Sequence, residues 1–98
     1  MIIVSLFRMK RAHIIIHGSV QGVFFRSNAR DIASSLGLKG YVRNMPDGTV
    51  EVVAEGNEDK IKELVEFCKK GPETAEVTKT DVEFEKASNE FESFEVRY

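Results

Sequence analysis

The sequence predicts an α+β sandwich in which two helices cover one face of an antiparallel sheet of four or five strands. Apolar residues alternate in several short segments and recur at helical spacing in two longer ones. These segments follow the order strand, helix, strand, strand, helix, strand, with a short further strand at the end. The 98 residues, of which 42% are apolar and 31% charged, suffice for a single two-layer core.

The first strand is predicted over residues 11–17, because the segment is rich in β-branched side chains and Gly18 is expected to end it. Alternate residues would share the inward face, namely Ala12, Ile14 and Ile16. In residues 25–36 apolar side chains recur at spacings of three and four, which is typical of an amphipathic helix. Gly37 is expected to end this helix, since glycine readily adopts the left-handed backbone that follows a last turn.

A hairpin is predicted next, with strands over residues 39–44 and 49–55 joined by a tight turn at Pro46-Asp47-Gly48. On its second strand the predicted buried residues are Val50, Val52 and Ala54, and the predicted wetter ones are Thr49, Glu51 and Glu55. Asn57 is a suitable N-cap for a second helix. In the following strand, 75–85, Val77 has the parity opposite to that of Val82 and Phe84, which predicts a bulge or a register break between them.

Two βαβ crossovers joined by a hairpin define a split-βαβ, ferredoxin-like sandwich, and right-handed crossovers place both helices on one face. We interpret residues 1–10 as an N-terminal extension and residues 11–98 as the domain. The apolar run 2–7 is too short to span a membrane, and its basic residues follow it, unlike those of an export signal. Three explanations stay open: an extra edge strand, a self-association segment, or a native start at Met9 with residues 1–9 dispensable.

Composition excludes several classes of function. The net charge of −2 argues against a general binder of nucleic acid or of acidic membranes. The single cysteine, Cys68, cannot form an internal disulfide, is expected in the core and suits a reducing cytoplasm. His13 and His17 share one face of a strand without an obvious third ligand. We therefore expect these histidines to be surface residues and the protein to use no metal and no cofactor.

The loop between the first strand and the first helix suits a small tetrahedral anion. It contains Gly18 and Gly22, a run of backbone N–H groups, and Arg26 in the first helical turn. Asn44, which ends the second strand, supplies a carboxamide able to hold a water molecule. Each element has a simpler explanation, as an ordinary turn or a solvated side chain. Together they suggest hydrolysis of a phosphate compound.

Two motifs carry a resemblance to a known family. Residues 18–26, Gly-Ser-Val-Gln-Gly-Val-Phe-Phe-Arg, closely resemble the Gly-x-Val-Gln-Gly-Val-x-Phe-Arg signature of acylphosphatases. Residues 40–44, followed by Asp-Gly-Thr-Val at 47–50, resemble that family's second motif, and residues 94–98 are similar to its closing segment. The resemblance covers about residues 11–98. It implies a ferredoxin-like fold and metal-independent hydrolysis of the carboxyl–phosphate bond of acyl phosphates.

The resemblance also implies roles for individual residues. Arg26 would bind the phosphate, Asn44 would position the attacking water, and the hydroxyl of Thr49 would support Asn44. The phosphate cradle would be shaped by Gly18 and formed by the amides of Ser19, Val20, Gln21, Gly22 and Val23. The chain departs from the family at Ser19, where a basic residue is common, and in its N-terminal extension. The implied ligands are a small acyl phosphate and the product, inorganic phosphate.

Three other interpretations are weaker. RNA-binding modules of this fold need aromatic residues on the central strands, which 11–17 and 49–55 lack. A ligand-sensing domain is normally fused to a larger partner. A carbamoyl-phosphate-handling domain, like the acylphosphatase-like segment of larger hydrogenase-maturation proteins, would be followed by zinc motifs, and none follows here. We therefore expect a free-standing cytoplasmic enzyme that binds neither nucleic acid nor membrane and is a monomer unless residues 2–7 associate. The physiological acyl phosphate is left open.

Overall fold

A computed structural model describes residues 9–98, and the interpretations that concern residues 1–8 lie outside this range. The elements are β1 (Met9–Ser19), α1 (Phe25–Ser35), β2 (Lys39–Asn44), β3 (Val50–Asn57), α2 (Glu58–Lys70), β4 (Glu76–Glu85) and β5 (Phe94–Arg97). β1 already begins at Met9, inside the segment that the sequence analysis assigns to the extension.

The sheet has the strand order β4-β1-β3-β2-β5. The pairings of β1 with β3 and β4, and of β2 with β3, are antiparallel, as predicted for a ferredoxin-like sandwich. The prediction of a wholly antiparallel sheet is wrong for β5, which pairs with β2 in parallel. β4 runs opposite to β2, and residues 86–93 carry the chain across to the other edge before it turns back. The last strand therefore runs in the direction of β2.

One hydrophobic core lies between the sheet and the two helices. The predicted inward residues of β1 and β3 are fully buried, and each helix contributes an apolar stripe to the same cluster. Phe25 of α1 meets Phe67 of α2 with the ring centroids 5.4 Å apart. Each fully buried large side chain contributes about 1.5–3 kcal/mol. The beginning of α1, which carries Phe25, is therefore anchored firmly.

The end of β1 departs from the prediction that Gly18 stops the strand, because β1 continues to Ser19. His17 pairs with Lys79 but Gly18 pairs with Val77, so the register passes over one residue of β4. The bulge predicted near Val77 is thereby confirmed. Gly18 has a φ of 124°, and an added Cβ would collide with the carbonyl oxygen of Glu76. Only glycine allows this close approach at the entrance to the loop.

The outer face of the sheet, which is the face opposite the helices, is less open than predicted. Glu51 and Glu55 were expected to face water, yet they are only 7% and 4% exposed. Glu51 is covered by the side chains of His13 and Arg43, and Glu55 by the crossing segment 86–93. Alternation along a strand cannot reveal a segment that arrives from a distant part of the chain.

The helix ends follow the sequence signals. The Asp59 N–H donates to Oδ1 of Asn57 at 2.9 Å, so Asn57 caps α2 as predicted. Gly37 follows α1 in the left-handed region with a φ of 73° and donates to the carbonyl of Ser34. Neither helix in residues 9–98 is long and apolar enough to cross a membrane.

Candidate active site

A cleft of about 300 Å³ lies where the start of α1 meets the end of β2 and the C-terminal strand. Its wall includes Gly22 and Arg26 from the loop and helix, and Asn44 from β2. Val96 and Tyr98 close it from the C-terminal side. The fold thus brings the two predicted catalytic side chains to a single cleft.

The loop that precedes α1 has an unusual backbone. Gly22 and Phe24 both have left-handed φ values, of 73° and 66°, and Phe24 occupies the N-cap position of α1 without a side-chain hydrogen bond. Within residues 9–98, the backbone N–H groups of 20–23 donate to no protein acceptor. A run of unpaired N–H groups beside a helix N-terminus attracts an anion. A bulky residue with positive φ is also the kind of local strain that occurs at functional sites.

The side chain of Gln21 has a structural role that the sequence analysis missed. Its Nε2 donates to the carbonyl of Met45 at 2.8 Å and to that of Thr49 at 2.9 Å. Both carbonyls belong to the turn that follows Asn44. Gln21 therefore ties the anion loop to the hairpin and sets the distance between the loop and Asn44.

The hairpin turn itself corrects one predicted contact. Oγ1 of Thr49 donates to Oδ1 of Asp47 at 2.6 Å, and the Thr49 N–H donates to the same oxygen at 3.0 Å. The hydroxyl of Thr49 thus stabilises the turn, whereas the expected support of Asn44 is not a direct hydrogen bond. These bonds from Thr49 hold the pKa of Asp47 below its usual value. The predicted turn at Pro46-Asp47-Gly48 is confirmed, with the Gly48 N–H donating to the carbonyl of Met45.

Asn44 lines the cleft, and the oxygen of its side chain is buried. It has the same strand parity as Val42, which is fully buried in the core, so its side chain lies on the helix side of the sheet. Oδ1 of Asn44 is buried and has no hydrogen-bond partner in the part of the chain that the structure describes. An unsatisfied buried acceptor costs about 1–3 kcal/mol. A water molecule or a ligand in the cleft would relieve this cost.

Arg26 is held by an aromatic ring and not by a carboxylate. Its Cζ lies 4.8 Å from the ring centroid of Tyr98, and no acidic group among residues 9–98 pairs with it. The guanidinium is therefore restrained yet keeps its hydrogen-bond donors available. Tyr98 is fully solvent-exposed. In the sequence, only the position of Tyr98 in the closing motif indicated a role for this residue. The parallel pairing of β5 with β2 brings Tyr98 to Arg26.

The predicted cradle residues are only partly on the cleft wall. Val20 and Gly22 line it, whereas the other three, Ser19, Gln21 and Val23, do not. The carbonyl of Val23 accepts a hydrogen bond from the hydroxyl of Thr74 at 2.5 Å, which anchors the loop from behind. Besides Tyr98, five residues that line the cleft were not predicted from the sequence: Phe24, Phe25, Ser27, Arg30 and Val96.

The two histidines and the cysteine do not line the cleft. Nε2 of His13 is 2.7 Å from a carboxylate oxygen of Glu51, and Nε2 of His17 is 3.0 Å from one of Asp81, so the histidines have separate partners on the outer face. No three His, Cys, Asp or Glu side chains in the described range are grouped to hold a metal ion. Cys68 is buried in the core, and this burial raises the pKa of its thiol to about 12.

Comparison with known proteins gives the family. The family model for acylphosphatase matches residues 12–96. An acylphosphatase from Pelotomaculum thermopropionicum is 46% identical over 88 residues, which cover 90% of this chain and 96% of the relative. The crystal structure of acylphosphatase from Bacillus subtilis superposes with a TM-score of 0.87 at 35% identity, covering 91% of this chain and 99% of that one. The chain belongs to the acylphosphatase family, and the predicted class of enzyme, a hydrolase of acyl phosphates, is confirmed.

The same fold also forms part of a longer protein. Full-length HypF in its phosphate- and nucleotide-bound form matches with a TM-score of 0.83 at 30% identity, over 92% of this chain but only 12% of that chain.

Proposed function

We propose that the cleft hydrolyses the carboxyl–phosphate bond of a small acyl phosphate without a metal ion. Arg26 holds the phosphoryl group and Asn44 orients the attacking water. The observation that carries this proposal is the buried, unpaired Oδ1 of Asn44 in the same cleft as a guanidinium without an acidic partner.

Arg26 and the loop supply the binding of the phosphoryl group. A guanidinium can donate two parallel hydrogen bonds to phosphoryl oxygens, and N–H groups of the loop, where Val20 and Gly22 line the cleft, can bind the remaining oxygen. Negative charge stays on these oxygens throughout phosphoryl transfer. Donors that are already in place before the reaction stabilise this charge without reorganisation.

Asn44 contributes by orientation. Its Oδ1 accepts a hydrogen bond from water and thereby fixes the direction of the water lone pair toward phosphorus. The residues that line the cleft include no histidine and no carboxylate that would act as a base. The phosphoryl group of the substrate is the proposed proton acceptor.

The leaving group explains why no general acid is required. It is a carboxylate, whose conjugate acid has a pKa of about 4, so it departs at neutral pH without a proton. The oxygen of water forms the new bond to phosphorus as the bond from phosphorus to the acyl oxygen breaks. The products are a carboxylate and inorganic phosphate.

Two further residues act by positioning in this proposal. Gln21 keeps the loop at a constant distance from Asn44 through its two hydrogen bonds to the turn. The ring of Tyr98 limits the rotamers of Arg26. We also propose that the protein acts as a monomer in the cytoplasm, which its free, buried Cys68 and net charge of −2 support.

Hydrolysis of benzoyl phosphate beside para-nitrophenyl phosphate, each with and without EDTA, tests the proposal. We expect turnover of benzoyl phosphate alone, because nitrophenolate is a much poorer leaving group than benzoate, and no effect of EDTA. Equal rates with both substrates would indicate a general phosphatase. Loss of activity in EDTA would show that a metal ion takes part.

A further inference from the structure

The cleft contains a second arginine that the proposed hydrolysis does not use. Arg30 follows Arg26 by one turn of α1, and both line the cleft. Residues four apart on a helix have Cβ atoms about 5–6 Å apart on the same face. The lining residues include no Asp or Glu side chain, although the chain as a whole has a net charge of −2. Positive charge is therefore concentrated locally in this cleft.

The ion pair that Arg30 forms with Asp31 does not prevent its guanidinium from binding a ligand. Its Nη2 lies 3.1 Å from Oδ1 of Asp31, the next residue in the chain. Both side chains of this pair are strongly exposed, at 45% and 71%. Exposed ion pairs of this kind are weak, since water competes for both groups. Asp31 does not line the cleft, so a carboxylate bound in the cleft can replace it.

The phosphoryl group does not need Arg30. In the proposed hydrolysis, Arg26 and the loop N–H groups on the cleft wall supply the donors for the phosphoryl group. Apolar and aromatic side chains, Phe24, Val96 and Tyr98, form other parts of the wall and suit the carbon skeleton of an acyl group. The guanidinium of Arg30, one helical turn beyond Arg26, can then bind a group that the acyl portion carries beyond its carbonyl.

We propose that Arg30 determines specificity by binding a second anionic group, a carboxylate or a phosphate, on the acyl portion of the substrate. The preferred substrates are accordingly acyl phosphates with two negatively charged ends. This inference rests on the proposed hydrolysis and adds the class of acyl group that the cleft selects.

Two rigid substrates that differ only in this charge test the inference. They are meta-carboxybenzoyl phosphate and its uncharged isostere meta-carbamoylbenzoyl phosphate, and the measured quantity is the ratio of their kcat/KM values. We expect the native protein to favour the charged substrate about three- to tenfold at low salt. The ratio should fall toward one in Arg30→Gln and be partly retained in Arg30→Lys. It should also decrease as salt screens the interaction.

Lys62→Gln is the matched control, because it removes the same charge from α2, where Lys62 lies outside the cleft wall. Its ratio should equal that of the native protein. An equal decrease in Lys62→Gln and Arg30→Gln would overturn the inference and assign the preference to overall charge. The ratio in the native protein and its salt dependence require no variant, so they test the inference even if Arg30→Gln folds poorly.

The outcomes separate this inference from the proposed function. If the native protein hydrolyses neither substrate, nor benzoyl phosphate, the proposed hydrolysis is wrong. If it hydrolyses both substrates with equal efficiency, or if Arg30→Gln leaves the ratio unchanged, hydrolysis stands and the role of Arg30 is wrong.

Discussion

Polar groups in the cleft and on the outer face of the sheet differ in how completely they are paired. On the outer face the buried carboxylate of Glu51 accepts from His13 and from Arg43, at 2.7 and 2.6 Å. In the cleft, Oδ1 of Asn44 accepts no hydrogen bond in the described part of the chain, and Arg26 has no acidic partner there.

Glu55 shows the same complete pairing at the other end of β3. It accepts from the Ser88 N–H at 2.8 Å, from the Ser88 hydroxyl at 2.7 Å and from the Asn89 N–H at 2.8 Å, and Arg11 lies 3.6 Å away. These bonds attach the crossing segment to the sheet ahead of β5.

This difference indicates that the outer face contributes to stability and the cleft to activity. Complete pairing of a buried charge stabilises one arrangement, whereas an unpaired buried group lowers stability and is retained where a ligand completes it. Substitutions in the cleft should therefore change kinetics without lowering stability. Substitutions on the outer face should do the reverse.

Arg26→Lys should have the largest effect. Lysine keeps the charge but cannot donate two parallel hydrogen bonds to a phosphoryl group, so we expect kcat/KM for benzoyl phosphate to fall about 100- to 1000-fold. Inhibition by inorganic phosphate should weaken as well, while the free energy of unfolding in urea should stay within about 0.5 kcal/mol. An unchanged inhibition constant for phosphate in this variant would show that Arg26 does not bind the phosphate.

Asn44→Ala should lower kcat about 100-fold, because the attacking water loses its orientation, and should leave phosphate binding largely intact. Stability should not decrease, since the substitution removes a buried acceptor that costs free energy while it has no partner. Steady-state kinetics with phosphate as inhibitor separates the two quantities. Loss of phosphate binding with full turnover at saturation would show that Asn44 binds phosphate and does not position water.

Glu55→Gln should lower stability and leave activity nearly unchanged, the reverse of the cleft variants. Because the amide has a single acceptor oxygen and no charge, it cannot satisfy all the donors of Ser88, Asn89 and Arg11, and we expect a loss of about 1–3 kcal/mol in urea unfolding. The kcat for benzoyl phosphate should stay within about threefold of the native value. Glu92→Gln, at an exposed position of the same crossing segment, is the control and should cost under about 0.5 kcal/mol. Equal stabilities of the two variants would mean that the pairing of Glu55 does not stabilise the fold.

Low pH should produce the smallest of these effects, a loss of stability caused by protonation of Glu51 on the outer face. Burial alone would raise the pKa of Glu51, but hydrogen bonds from His13 and Arg43 outweigh it and the pKa is lowered. A lowered folded pKa stabilises the fold above the unfolded value of about 4.3, and this contribution is lost as pH falls through the folded pKa. We expect the free energy of unfolding to decrease as pH falls from about 5 to about 3.

Glu51→Gln is the corresponding variant, because it cannot titrate. Its stability curve should be flatter over the same pH range than that of the native protein. Parallel curves for the two proteins would show that the paired carboxylate of Glu51 makes no contribution to acid unfolding.

Local sequence signals predicted most of the regular structure. The cap at Asn57, the turn at Pro46-Asp47-Gly48 and the bulge beside Val77 each depend on residues close together in the chain. The motifs of the anion loop and of the second strand likewise indicated Arg26 and Asn44 without any coordinates.

Contacts between residues that are distant in the chain could not be predicted from these local signals. The side chain of Gln21 bonds carbonyls 24 and 28 residues away, and Arg26 meets a ring at the last residue of the chain. The burial of Glu51 and Glu55 depends on side chains from other strands and on the crossing segment. No periodicity within a single element encodes such pairs.

The amino-acid sequence by itself determined the order of the elements, the faces they bury and the family of the chain, because backbone preferences and hydrophobic periodicity act over a few residues. The tertiary structure alone decided that β5 runs parallel to β2, that Tyr98 covers Arg26 and that Arg30 shares their cleft. Strand pairing across the sheet selects these neighbours, and it depends on the geometry of the whole chain.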